Sequence, residues 1–169
     1  MAGYSATPLP QKLGIKPLHS VALLGAPAGF ARVLGTLPAG VKTVSALEGR
    51  APFDVIVLFV TSAAELTRRF VPTAKRLEPS GGFWVAWPKK ASGVPTDVTE
   101  NLVRAVALEA GLVDNKVCAI DDTWSGLRNV VRLVDRPKAP RAKGAKAAKA
   151  AKAAPKRPRR YTGDRADRS

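Results

Sequence analysis

The sequence predicts an α/β fold: a mostly parallel sheet covered by helices, closed by an antiparallel final strand. Three observations carry this. After Asp54, the run "VIVLFV" at 55–60 is apolar without alternation, as in a strand buried on both faces. From residue 20 to about residue 111, apolar runs of strand length alternate with segments of helical period. The last two strand segments, "NKVCAI" and "GLRNVVRLV", are joined by the short stretch "DDTWS", so the chain turns back on itself there.

The elements follow in order. Residues 1–18 are rich in Pro, Gly and small polar residues, with one turn of helix at "PQKLG". A buried strand runs from Ser20 to Leu24 and is broken by Gly25-Ala26-Pro27; a short helix covers Ala28 to Leu34. "LPAG" is a turn and "VKTVSAL" the second strand, ending near Glu48. The third strand, Asp54 to Val60, is followed by Ser62 and Glu65 at capping-box spacing, which start a helix. Leu66, Phe70, Ala74 and Leu77 form its apolar face, and Pro72 is expected to kink or split it. "EPSGG" reads as the stop and "GFWVAW" as the fourth strand, with Trp84 and Trp87 on one face. Lys89 to Pro95 form a loop. Thr96 or Asp97 caps the next helix, with Glu100 three residues after Asp97. Val98, Leu102, Val103, Val106 and Ala110 line its inner face, and Gly111 stops it.

This order of elements, from Ser20 to Val134, resembles a class I methyltransferase fold with one helix–strand unit removed, a Rossmann-like sheet. "FDVIVLFV", "LEPSGGFWVAWPK" and "ALEAGLVDNKV" resemble that fold's fourth strand, fifth strand and last helix, and the closing hairpin resembles its final two strands. More specifically, "GYSATPLPQKLGIK", "FWVAWPKKASGVPTDVTEN" and "DDTWSGL" make residues 3–136 similar to a bacterial family, domain-of-unknown-function family 3052. That resemblance implies no activity.

The methyltransferase resemblance implies a glycine-rich turn after the first strand and an acidic residue after the second. Gly25, Gly29 and Glu48 are the candidates. Pro27 stands where a second close-approach glycine is expected; it adds bulk and removes an N–H, so no cofactor is expected to bind. Thr61 and Ser62, which follow the third strand, read as a connection and a helix cap rather than as catalytic groups. His19 has no partner motif and reads as a surface or packing residue. No metal-ligand cluster and no nucleophile–base pair is evident, so no catalytic residue is assigned.

Ligands of open α/β sheets bind outside the carboxyl ends of the parallel strands. Three loops are expected to meet there: "GAPAG", "PKKASGVPT" and "DDTWSG". They gather Lys89, Lys90, Ser92, Asp121, Asp122, Trp124 and Ser125, a set able to hold a small anion beside a stacking ring. The same set also reads as a clamp, with Lys89 or Lys90 pairing Asp121 or Asp122 to pin two loops together.

Charge divides the chain. Residues 137–169 hold 12 Lys/Arg against two Asp, a net +10, whereas residues 1–136 hold 16 against 11, a net +5. The tail "RAKGAKAAKAAKAAPKRPRR" is low-complexity and is expected to be disordered when free. It resembles the Lys/Ala/Pro tails of linker-histone-like bacterial proteins. Arg141, Lys143, Lys146, Lys149, Lys152, Lys156, Arg157, Arg159 and Arg160 supply dense positive charge suited to phosphates of any sequence. A membrane is not expected as partner, because no hydrophobic anchor accompanies the charge. The single cysteine, Cys118, excludes an intrachain disulfide, and the first residues lack the apolar core of a signal peptide. The expected location is the cytoplasm, with association to the nucleoid if the tail engages DNA. The reading favoured by the residues is a non-enzymatic α/β domain, 1–136, with a tail, 137–169, that binds nucleic acid non-specifically. The alternatives are a reduced S-adenosylmethionine-dependent methyltransferase and a protein-interaction scaffold.

Overall fold

The computed structural model describes residues 7–135; the tail lies outside them, and so do all nine basic tail residues named above. Six strands form one sheet in the order β2-β1-β3-β4-β6-β5. They are β1 Ser20–Leu24, β2 Lys42–Val44, β3 Phe53–Phe59, β4 Leu77–Pro88, β5 Leu112–Ala119 and β6 Trp124–Val131. The pairs β1–β2, β1–β3 and β3–β4 are parallel, and β6 runs antiparallel to both β4 and β5. β6 is therefore the reversed strand, as the hairpin-length connection before it implies.

Side chains alternate between two cores. On one face, α1 (Leu9–Leu13) and α2 (Phe30–Leu34) pack Leu13, Phe30 and Leu34 against Val21, Val55, Val57, Phe59 and Trp84. On the other, α3 (Ala63–Ala74) and α4 (Glu100–Glu109) pack Leu66, Phe70, Val103 and Ala107 against Ala22, Leu24, Ile56, Leu58, Phe83 and Val85. Trp84 and Trp87 fall on opposite faces, not the same one: three positions along a strand reverse the side-chain direction. Both are buried. Trp84 Nε1–H donates to the Leu13 carbonyl at 3.0 Å, which ties the amino-terminal segment to the sheet centre.

Helix starts follow local chemistry, with two departures. The Ser62 hydroxyl accepts from Glu65 N–H at 3.1 Å, as the capping-box spacing predicts, but the Glu65 carboxylate reaches back to Thr61 N–H rather than to Ser62. α4 is capped by Thr99, whose hydroxyl accepts from Leu102 N–H. Asp97, expected to cap α4, instead accepts from Ala63 N–H at 2.7 Å, in the first turn of α3. Thr96 donates to the Thr61 carbonyl at 2.7 Å. The loop before α4 is thus pinned over the end of β3. Gly111, at φ 88°, ends α4 as expected.

α3 does not split at Pro72 but runs through it to Ala74. Pro72 and Arg68, whose carbonyl loses its helical donor, both lie on the exposed side of α3. "EPSGG" is not a helix stop but part of β4, which begins at Leu77. Phe53 pairs with Leu77 and Val55 with Gly82, so β4 carries a bulge there. At Gly81 a Cβ would collide with the Asp54 carbonyl, which explains a glycine within a strand. β2 is only three residues long, and the chain returns to β3 through 45–52. The Arg76 guanidinium holds that return, donating to the carbonyls of Leu47, Glu48 and Ala51 and lying 5.2 Å from the Phe53 ring centroid. No helix among the described residues is long and apolar enough to cross a membrane.

Trp84→Phe should cost about 1–3 kcal/mol of stability, since it removes the donor for a carbonyl inside the core. Urea denaturation at constant m-value is the check; an unchanged midpoint would exclude this bond as an anchor.

Candidate functional site

β2 and β3 lie on opposite sides of β1, so the strand order reverses between β1 and β3. At the carboxyl end of that pair, open sheets form a crevice. Gly25 follows β1 there at φ 73°, and a Cβ on it would meet the Phe59 carbonyl oxygen at 3.0 Å. Glycine is thus required twice, by a left-handed backbone and by a close approach to β3. Gly29, at φ 82°, starts α2. Ala26, Pro27 and Gly29 line a cleft of about 520 Å³ with Leu23, Phe30, Thr43 and Ser45. The volume lies within the usual range for small-molecule sites.

The cleft is apolar with few hydroxyls. Glu48, the expected acidic partner, does not line it: β2 ends at Val44, and Glu48 stands exposed in the return loop, its carbonyl bound to Arg76. The residue directly after β2 is Ser45. Pro27 lines the cleft while its carbonyl accepts from Phe30 N–H at 3.1 Å.

The expected edge loops do approach one another. Lys89 N–H donates to the Thr123 carbonyl at 2.7 Å, and Pro88 pairs with Trp124 and Trp87 with Ser125 across β4 and β6. These backbone contacts join the loops. The Asp121 carboxylate accepts from Thr123 and Trp124 N–H at 2.8 Å each, folding its own turn. The Ser92 hydroxyl donates to the Lys89 carbonyl at 2.6 Å and accepts from Val94 N–H, within a 3-10 turn at Lys90–Ser92. Trp124 is half-buried, edge-on to Phe59 at 5.1 Å, and Phe59 is edge-on to Phe30 at 4.9 Å. This aromatic row connects the "GAPAG" and "DDTWSG" segments beneath the edge.

Sequence reasoning missed Arg69. From α3 it reaches the switch point, its Nη1 3.8 Å from where a Gly25 Cβ would lie and 3.6 Å from Glu65 Oε2. The four-residue spacing of Glu65 and Arg69 was a visible signal, but it indicates a helix-surface pair and says nothing about Gly25.

His19 sits at the opposite, amino end of β1. Its Nδ1 accepts from Lys16 N–H at 3.1 Å, and burial holds its pKa below the ordinary 6.5 against the pull of Asp54. Burial likewise raises the Cys118 thiol, which makes it a poor nucleophile. Among the described residues no group of three His, Cys, Asp or Glu is placed to hold a metal.

No family profile and no curated protein matches the chain. Solved structures do. An S-adenosylmethionine-dependent methyltransferase from Aquifex aeolicus aligns over 70% of this chain and 85% of its own, at 17% identity and TM-score 0.50. The ribosomal protein L11 methylase from Lactobacillus delbrueckii subsp. bulgaricus aligns over 73% and 75%, at 13% identity and TM-score 0.52. Magnesium protoporphyrin IX methyltransferase from Synechocystis PCC 6803, with bound S-adenosylmethionine, aligns over 73% and 74%, at 10% identity and TM-score 0.50. At these identities the likeness establishes the fold, which is methyltransferase-like.

Two outcomes are expected. Asp121→Ala should lower stability by about 1 kcal/mol through loss of its turn bonds, with Asp121→Asn retaining part of it; thermal melting of both variants is the check. His19 should titrate below 6.5 by NMR. The unfolded chain then takes up that proton first. The stability contributed by neutral His19 is complete above about 6.5 and is lost as pH falls through the folded value.

Proposed function

We propose that the domain is a reduced S-adenosylmethionine-dependent methyltransferase, which holds a nucleoside ligand at the carboxyl edge of its sheet. The observation that carries this is the turn from Gly25 to Gly29 beside the strand-order reversal: both glycines are left-handed, and Ala26, Pro27 and Gly29 line a cleft of about 520 Å³. The resemblance to family 3052 adds no activity to this reading.

The residues fit such a ligand with one departure. Leu23, Phe30 and Leu34 offer an apolar wall for a base, and Thr43 and Ser45 offer hydroxyls to a ribose. The departure is Ser45, where a carboxylate would hold two ribose hydroxyls at once. Pro27 contributes a wall and its carbonyl, already bound to Phe30; the turn needs no N–H from it. S-adenosylmethionine, when bound, supplies an activated methyl group. The domain's task is then orientation and exclusion of water, which proximity alone can turn into a large rate effect. The cleft lining holds no titratable side chain, which is compatible with this chemistry.

A second reading rests on the +10 charge of residues 137–169. In it the domain has no enzymatic role and the tail binds nucleic acid through its phosphates. The two readings are separable because they use different parts of the chain.

Titration calorimetry of S-adenosylmethionine into the full chain should give a micromolar dissociation constant, with a rise in melting temperature that grows with ligand concentration. No heat and no shift at millimolar ligand would return the domain to the non-enzymatic reading. Separately, deleting 137–169 should remove most affinity for duplex DNA. In the full chain, log affinity should fall against log salt with a slope of about −0.9 per phosphate engaged. Equal affinity with and without the tail would remove nucleic acid as the tail's partner.

A further inference from the structure

Four arginines of the described residues are half-buried: Arg69, Arg76, Arg104 and Arg128. Three have hydrogen-bond partners. Arg76 donates to three carbonyls, Arg104 to Glu100 and Asn101 with Asp114 at 3.1 Å, and Arg128 to Asn115. Arg69 makes no hydrogen bond among the described residues. Its one ionic neighbour is Glu65 at 3.6 Å, beyond good hydrogen-bond length. Its side chain is 34% exposed, so water reaches the guanidinium and an anion could take the place of that water.

Its position matters more than its one ionic neighbour. Arg69 lies against the Gly25 turn, where the absence of a side chain lets the guanidinium approach the end of β1. This is the crevice where ligands of such sheets bind. We propose that Arg69 anchors an oxyanion, the carboxylate or phosphate of a small ligand whose body occupies the neighbouring cleft. Guanidinium suits such a group because its planar N–H pairs match two oxygens at once. Two carboxylates face the same region. Asp97 is engaged by Ala63 N–H, and Glu65 by Thr61 N–H at 3.4 Å. The ligand therefore replaces Glu65 as the partner of Arg69, while Glu65 keeps its place at the start of α3.

The identity of the ligand's body rests on the preceding reading; the anion anchor itself does not. The test compares three nucleosides on the full chain by calorimetry: S-adenosylhomocysteine, which carries a carboxylate, adenosine 5′-monophosphate, which carries a phosphate, and methylthioadenosine, which carries neither. Arg69→Gln should weaken one or both of the anionic ligands by roughly tenfold or more and leave methylthioadenosine unchanged. Which of the two suffers identifies the anion. Arg68→Gln, an equal change of charge on the exposed side of the same helix, should alter none of them. Equal loss for all three ligands, or no loss for any, overturns the anchor. If no nucleoside binds the unaltered chain, the preceding reading fails and inorganic phosphate decides the anchor alone. In that case phosphate should shift the Arg69 side-chain Nε–H resonance and not that of Arg68. No shift at Arg69, or equal shifts at both, overturns it.

Discussion

Strand β3 offers apolar side chains to both faces of the sheet, and each of its residues from Val55 to Phe59 is at most 2% exposed. No single layer of helices can cover such a strand. The chain must place helices on both faces, and it therefore has to change faces once. It does so between β1, whose following helix α2 lies on one side, and β3, whose following helix α3 lies on the other. The crevice at the carboxyl ends of these two strands is a geometric result of that change. Gly25 and Arg69 meet there because one closes β1 and the other belongs to the helix that covers β3.

The short route from β2 back to β3 has a cost that Arg76 offsets. Residues 45–52 must travel from one end of the sheet to the other without a helix to satisfy their carbonyls. A single guanidinium accepts this role by donating to three of them, while its plane rests near Phe53. Leu47 in the same stretch packs against the core beneath α3 and α4. One arginine, one leucine and a few bends thus connect β2 to β3 without a helix. β2 is an edge strand, and the cleft lies between it and α2.

Local rules found the elements and misplaced what depends on distant partners. The strands were legible because their apolar runs are long and bounded by Gly and Pro. Ser62 and Glu65 were legible because a cap is decided within four residues. Thr96 and Asp97 were read as caps of α4, since their spacing to Glu100 fits; both instead serve the end of β3 and the start of α3, more than 30 residues away in sequence. "EPSGG" reads as a helix stop because nothing local shows that Gly81 lies against the Asp54 backbone. Glu48 was counted into the site because a strand of seven residues was assumed where three form. Arg69 was invisible as a site residue for the same reason: its meaning comes from Gly25, 44 positions earlier, and not from its own helix.

The two charged regions of this chain obey different electrostatics. Lysines spaced along a tail act on a polyanion through released counterions, an effect that weakens steeply as salt rises and reads no particular shape. Arg69 is half-buried beside a backbone turn, where screening by salt is weaker and geometry selects the partner. Net charge therefore bears on what the whole chain is drawn to, while a single guanidinium bears on what its domain can hold. An anion held at the switch point would survive salt that strips the tail from a nucleic acid. The high pI of about 10.7 is accordingly a guide to the tail's chemistry and a poor guide to the domain's.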